Sequence, residues 1–426
     1  MDRLGYRNGT SGGRYLKKTW AITAVVLVWI MLSASVASVS VQAQRNTANT
    51  TTAQPNVLCA SALQSEQLWT NTHLDQAILV AQASQAFKSI ASSFEKVTFS
   101  TSHITGRWGA DCVSVNETFN TVFSATNASG FQGWIVVSES PATLSVINVS
   151  TQMHPGYLDY CSSSPCNNPI WAGYEAGNTY YDPGCGCNRF NPANFVYAEW
   201  YEPGLYYPPT GCANYYECNL AVWVGLEQEQ GGTNHHLAQA GTGAWCSLGS
   251  GYCGSATEHD FIYDLIPQEY VMCDTLNGNV AYAGDEVTAY TEAATDSNGN
   301  TNYQFYIDDV TNGAYCLSPF CNYPCYNNAG LIGSDNRAAI EVENFEFCYY
   351  DCDSLAQFDT TTFHNAGFSD PSRWSYVGQA NWIMRDNMNN CNTPNVSTSG
   401  ITGPNQDLFS ETWLSSQNTP YWNTGC

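Results

Sequence analysis

The sequence predicts an all-β chain, an antiparallel sandwich of two packed sheets, preceded by a smaller α/β region. Three observations predict it. From about Ile170 onward short runs alternate apolar and polar residues: Phe195–Tyr201, Leu220–Leu226, Asp260–Leu265, Val287–Thr291, Tyr303–Ile307, Ala338–Phe347 and Thr360–Phe363. That period of two belongs to half-buried strands. Gly, Asn, Asp and Pro separate the runs, and no helical period interrupts them, which is the pattern of a sandwich or barrel. No internal repeat is visible. The 426 residues suffice for two ordinary domains or one large β domain with extensions.

From the N-terminus, residues 1–18 are basic, Trp20 to Val39 is apolar, and small residues lead to Ala43. This layout predicts a secretory signal peptide over residues 1–43, cleaved near Ala43. The apolar run 20–39 is also long enough to anchor the chain in a membrane, but its Ser/Ala-rich second half favours cleavage. Residues 44–56 read as a polar linker. Leu63 to Phe94 has helical spacing, with Leu68, Leu74, Ile78, Leu79, Ala83, Phe87, Ile90 and Phe94 as an apolar stripe. Val113 to Val149 is strand-rich. The block 44–165 is either a pro-segment that covers a site until removed or a stable accessory region. A bridge between Cys59 and Cys112 would favour a folded unit. Residues 166–426 form the sandwich.

Composition narrows the function. The formal charge is −24 with only 13 Lys and Arg, of which Arg3, Arg7, Arg14, Lys17 and Lys18 lie in the first eighteen residues. Phosphate-backbone binding needs clusters of cations, so nucleic acid is excluded as a partner. A membrane partner is expected only if the N-terminal segment stays uncleaved. The 18 cysteines include the close pairs Cys161/Cys166, Cys185/Cys187, Cys212/Cys218, Cys246/Cys253, Cys321/Cys325 and Cys348/Cys352. In an exported chain these read as disulfides. Zinc is the weaker reading of them, because His154, His235, His236 and His259 complete no ligand motif with the cysteines. No metal and no cofactor is expected. Sequons at Asn49, Asn116, Asn127, Asn148 and Asn395 are candidate N-glycan sites.

The stretch Leu220 to Gly241 (LAVWVGLEQEQGGTNHHLAQAG) carries the chemistry. Leu220, Val222, Val224 and Leu226 fall on one face of a strand, with Trp223, Gly225 and Glu227 on the other. The next run puts Leu237, Gln239, Gly241, Gly243 and Trp245 on one face. A Trp, a Glu and a Gln then share one solvent-facing surface, suited to holding a peptide or a sugar. Asp260 and Asp264 share a strand face, as do Ala339, Glu341, Glu343, Phe345 and Phe347, while Ile340 and Val342 point into the core. Crowded carboxylates raise one another's pKa.

These residues resemble the eqolisins, or glutamic peptidases. Trp171-Ala172-Gly173-Tyr174 resembles the family's opening strand, and Phe195–Pro203 (FVYAEWYEP) its strand before the first long loop. Val222–Glu227 (VWVGLE) is similar to VWVGID, and Leu237–Gly241 (LAQAG) to LxQxG. Asp260–Pro267 (DFIYDLIP) is similar to YDAWYEWYP, and Phe358–Ala366 (FDTTTFHNA) to FGTVTFTNA. The resemblance runs from Trp171 to about Trp413. It implies a concanavalin-like sandwich and a secreted, acid-acting endopeptidase on protein or peptide substrates. Gln239 then matches the residue that holds the attacking water and donates to the oxyanion. A Glu is the general base. A Gln amide does not titrate, and a carboxylate remains usable in acid where a His would be protonated. Trp223 matches the wall of the cleft, and Glu227, Asp260 and Asp264 match supporting acids.

One departure stands out. In ungapped alignment through Val342–Phe345, Ala339 falls opposite the catalytic Glu of the family motif AEWxVE, whose Trp is also absent. A two-residue slip brings Glu341 into the role and preserves its facing. The base is therefore Glu341, with Glu343 as the outside candidate, or it is missing. A missing base would leave a lectin-like or peptide-binding secreted protein, since fold does not fix function. A glycosidase is the third reading, because two carboxylates on one face suit that reaction. His235 and His236, just upstream of Gln239, read as exposed loop residues.

Overall fold

The structure, a computed structural model, describes residues 59–127, 130–153, 171–184, 186–207, 217–230, 234–247, 257–266, 269–273, 280–295, 301–318, 337–344, 354–371, 373–386, 388–390 and 393–416. The signal peptide, the linker, the pairs Cys161/Cys166, Cys321/Cys325 and Cys348/Cys352, and His154 lie outside them. So do the side chains of His235 and His236 and of Phe345 and Phe347.

Two helices open the described chain, α1 (Ala60–Ala83) and α2 (Gln85–Ala91). They break at Ser84, which is extended and whose hydroxyl accepts from the Phe87 amide at 3.1 Å, an N-cap that starts the second helix as the first ends. The buried side of α1 is Leu63, Thr70, Leu74, Ala77 and Ala81. Leu68 and Leu79 do not belong to the stripe. They are 70% and 66% exposed, because the 63-70-74-77-81 spacing selects a face from which both project away.

The strands are β1 (Lys96–Trp108), β2 (Ser114–Asn127), β3 (Gly130–Ser140), β4 (Ser145–Met153), β5 (Trp171–Asp182), β6 (Phe195–Tyr201), β7 (Glu217–Gln230), β8 (Asn234–Ser247) and β9 (Glu258–Ile266). There follow β10 (Glu269–Met272), β11 (Glu286–Thr295), β12 (Thr301–Asp309), β13 (Ala314–Leu317), β14 (Arg337–Glu343), β15 (Thr361–Ser369), β16 (Trp382–Asp386), β17 (Val396–Thr398) and β18 (Phe409–Trp413). The first sheet runs β17-β18-β15-β6-β11-β12-β13-β1-β2-β3-β4, and the second runs β10-β9-β8-β7-β14-β5-β16. All these neighbours are antiparallel. This is the all-β sandwich that the alternation predicts.

The core lies between the sheets. Val222, Val224, Leu226, Ala238, Ala240, Ile340 and Val342 of the second sheet are fully buried, as are Val196, Trp200, Val287 and Phe363 of the first. The Thr291 hydroxyl reaches across to the Val224 carbonyl at 3.4 Å, and Tyr174 packs edge-on against Phe409.

The N-terminal strands continue the first sheet. β1 pairs with β13 from Ile104↔Leu317 to Arg107↔Ala314. Trp108 stacks on Tyr315 at 4.5 Å and donates to the Tyr306 hydroxyl, while His103 meets the Tyr263 hydroxyl of the opposite sheet at 3.1 Å. Gln67 of α1 donates to Tyr290 and Gln304 on the outer face of that sheet. The Cys59–Cys112 disulfide ties the start of α1 to the turn after β1. A second disulfide, Cys273–Cys316, which the spacing did not suggest, joins the two sheets. Cys187, Cys218 and Cys246 are also disulfide-bonded, and no described cysteine is free.

At Gly241, β8 lies tight against β7. A Cβ there would lie 2.1 Å from the Val222 carbonyl oxygen and 2.6 Å from the Trp223 Cα. Backbone cannot yield as a side chain can. Gly241→Ala is expected to cost about 3 kcal/mol, read as a fall in the urea midpoint at unchanged slope.

Carboxyls with raised pKa values are expected to make the fold more stable in acid. Burial lifts Glu139 to about 8 and Asp309 to about 7, and burial with the adjacent Glu117 lifts Glu66 to about 7. A carboxyl raised in the folded state gives stability that is complete below its unfolded pKa of about 4 and is lost as pH rises through its folded pKa. The buried His103 opposes this. Desolvation holds it at about 3, so it costs stability as pH falls below about 6.5. Carboxyls outnumber it. The thermal midpoint is therefore expected to rise by several degrees as pH falls from 8 to 5, and calorimetry across that range checks it.

Candidate active site

The outer face of the second sheet gathers the predicted site residues in four rows. Cross-strand register defines them. In one row stand Asp264, Gln239, Gly225, Ala339 and Glu175. One two-residue step along lie Ile262, Gly241, Trp223, Glu341 and Gly173. The next holds Asp260, Gly243, Ala221, Glu343 and Trp171. On the other side of the Gln239 row are Leu237, Glu227 and Arg337. Strand alternation puts all of these opposite the core-facing Val222, Val224, Ile340 and Val342.

Gln239 and Glu341 are separated by two strand spacings and one two-residue step, about 12 Å between backbones. Glu343 is a further step away, about 17 Å. Ala339, not a carboxylate, shares the Gln239 row. Trp223 stands on the strand between them, in register with Glu341. A Cβ on Gly225 would meet Trp223 Cζ3 at 2.9 Å, so the indole lies over this glycine and beside Gln239. Trp171 braces it edge-on, with ring centroids 5.4 Å apart.

The face is not solvent-exposed as the sequence suggested. Trp223 and Glu341 are 0% exposed and Gln239 and Glu227 2%. Asp264, Glu343 and Glu175 are buried as well, and Asp260 is partly so. The Gln239 amide oxygen has no hydrogen-bond partner among the described residues. A buried acceptor left open in this way is a site for an incoming donor. Burial lifts Asp260 to about 6, with His259 opposing the rise and the adjacent Glu258 adding to it.

Two residues of this face escaped the sequence reading. Arg337 Nη1 lies 2.7 Å from Glu175 Oε2, and its Nη2 lies 3.6 Å from Glu227 Oε1. The guanidinium also sits 5.3 Å from the Trp382 ring centroid. A buried cation between two carboxylates offsets the cost of burying all three charges. Arg337 was visible as one of the rare cations beyond residue 18, and Glu175 as the alternate residue after Trp171 and Gly173. His259 is structural. It pairs with Glu202 at 2.8 Å and meets the Pro203 carbonyl in the core. The backbones of His235 and His236 lie within β8, paired with β7, rather than in a loop.

No curated protein matches the chain. The family model of the Peptidase A4 family, the eqolisins or glutamic peptidases, matches residues 185–406, more than half of the 426 residues, and covers the strands that carry Trp223, Gln239, Asp264 and Glu341. On that match, the chain belongs to the Peptidase A4 family.

Proposed function

We propose that this chain is a secreted, acid-acting endopeptidase that hydrolyses peptide bonds by direct attack of water, with Gln239 and Glu341 as its working pair. The observation that carries the reading is the buried Gln239, its amide oxygen open, on one face with Trp223 and a Glu two strands away. The Gln239 oxygen accepts a hydrogen bond from the attacking water, and its N–H donates to the oxyanion that forms on the substrate carbonyl. Glu341 takes the water's proton as the hydroxyl adds to the carbonyl carbon. It returns that proton to the amine nitrogen as the C–N bond breaks. Trp223 walls the site, Asp264 and Asp260 support it, and Arg337 pairs with Glu175 and Glu227. Glu343 is too far along the strand to share a water with Gln239.

The chemistry suits acid, since nothing in it requires a neutral imidazole. The disulfides and the predicted signal peptide fit export, and N-glycans fit the sequons. Among the described residues no helix is long and apolar enough to cross a membrane. Nothing in this reaction calls for a metal or a cofactor. The runner-up is a peptide-binding or lectin-like protein. It is favoured by Ala339, which stands in the Gln239 row where the family motif has its Glu. Mass spectrometry of an unstructured protein incubated with the purified chain at pH 4 and at pH 7 tests the two. Internal cleavages at pH 4 support the peptidase. An intact substrate at both values would turn attention to peptide and glycan binding.

A further inference from the structure

We propose that Glu199, Glu286 and His364 form a site for a divalent transition-metal ion of the zinc type. It lies on the outer face of the first sheet, on the far side of the core from the candidate active site, and does not depend on the peptidase reading. The three come from adjacent strands, β6, β11 and β15. His364 and Glu199 are direct register partners, and Glu286 faces Tyr201, the next outward residue of β6.

The spacing points to a shared ion. His364 Nε2 lies 3.1 Å from Glu199 Oε2 and 3.2 Å from Glu286 Oε1, and all three ligand atoms fall within 4.8 Å of one another. One ring nitrogen carries one hydrogen and cannot aim it at two carboxylates. Charge-assisted bonds run at about 2.7–2.9 Å, and the buried His259–Glu202 contact of this protein is 2.8 Å. Both contacts of His364 are longer. Ligands held at about 2.0–2.1 Å from zinc in a tetrahedron stand roughly 3.3 Å apart. One imidazole and two carboxylates are a ligand set that zinc accepts.

The surroundings fix the ligands as metal sites require. The Tyr197 hydroxyl donates to the other oxygen of Glu199, and Asn365 Nδ2 donates to Oε2 at 2.7 Å. The Tyr201 ring stacks on the His364 ring at 5.5 Å and 25°. The side chains of His364 and Glu286 are 21% and 33% exposed, which leaves an entry path and room for water as a fourth ligand. The ion would clamp three strands of the first sheet.

The test is zinc content of the full chain, loaded with zinc at pH 7 and dialysed free of excess, for the wild type, His364→Gln and Glu286→Gln. The wild type should retain about one more zinc per chain than either variant, and added zinc should raise its melting temperature but not theirs. Should His364→Gln fail to fold, Glu286→Gln, at a side chain one-third exposed, carries the comparison alone. Equal zinc content in wild type and folded variant would overturn the site and leave an imidazolium shared by two carboxylates.

Discussion

Glu341→Gln should lower the acid peptidase activity by about 10²–10⁴-fold, the worth of a general base, while Glu343→Gln should lower it far less. Both are buried on the same face and the same strand, so burial does not separate them. Register does. Glu341 stands one step from the Gln239 row, in line with Trp223, and Glu343 stands two steps away beside Ala221. A base must come within hydrogen-bond reach of the water that Gln239 holds. Each replacement is isosteric and removes only the ionisable oxygen, so the fold should survive both, as circular dichroism can check. Equal losses would move the base elsewhere on this face. Full activity in both would remove Glu341 from the mechanism.

Residues 166–426, expressed without the N-terminal block, should fail to give a soluble, folded protein. Removing β1 would bare one edge of β13, a four-residue strand that is buried throughout. Such an edge is a template for aggregation. The same deletion takes the Trp108 ring from Tyr315 and Tyr306, His103 from Tyr263, and Gln67 from Tyr290 and Gln304. Leu63, Leu74, Ile104 and Phe119 also belong to the main apolar cluster that contains Trp223. On this account the block is a retained part of the sandwich. A soluble, cooperatively melting and active 166–426 fragment would instead mark it as a removable pro-segment.

The strands were legible because their alternation is local. Val222 to Glu227 states both its faces in six residues, and the structure keeps both. The polar face as a set was legible for the same reason, through Trp223, Gln239, Asp264 and Glu341. Its burial was not, since alternation distinguishes two faces but does not say what covers either. Nor was the continuation of the sheet through β1 to β4, because strand order is a long-range property. Leu68 and Leu79 misled because they lie off the face that Leu63, Thr70, Leu74, Ala77 and Ala81 bury, and which face is buried depends on what the helix packs against. Glu175 and Arg337 form a site contact only when β5 and β14 pair, 162 positions apart in the sequence. His364 and Glu286 meet for the same kind of reason.

The most direct measurement is the initial rate of cleavage of one internally quenched peptide at pH 4 by the purified wild type and by Gln239→Ala. Cleavage by the wild type is expected, with a fall of about 10²–10³-fold in a variant that remains folded, the loss that follows when an oxyanion donor is removed. A wild type that leaves the peptide intact, or a variant that cleaves it equally fast, would contradict the proposed reaction.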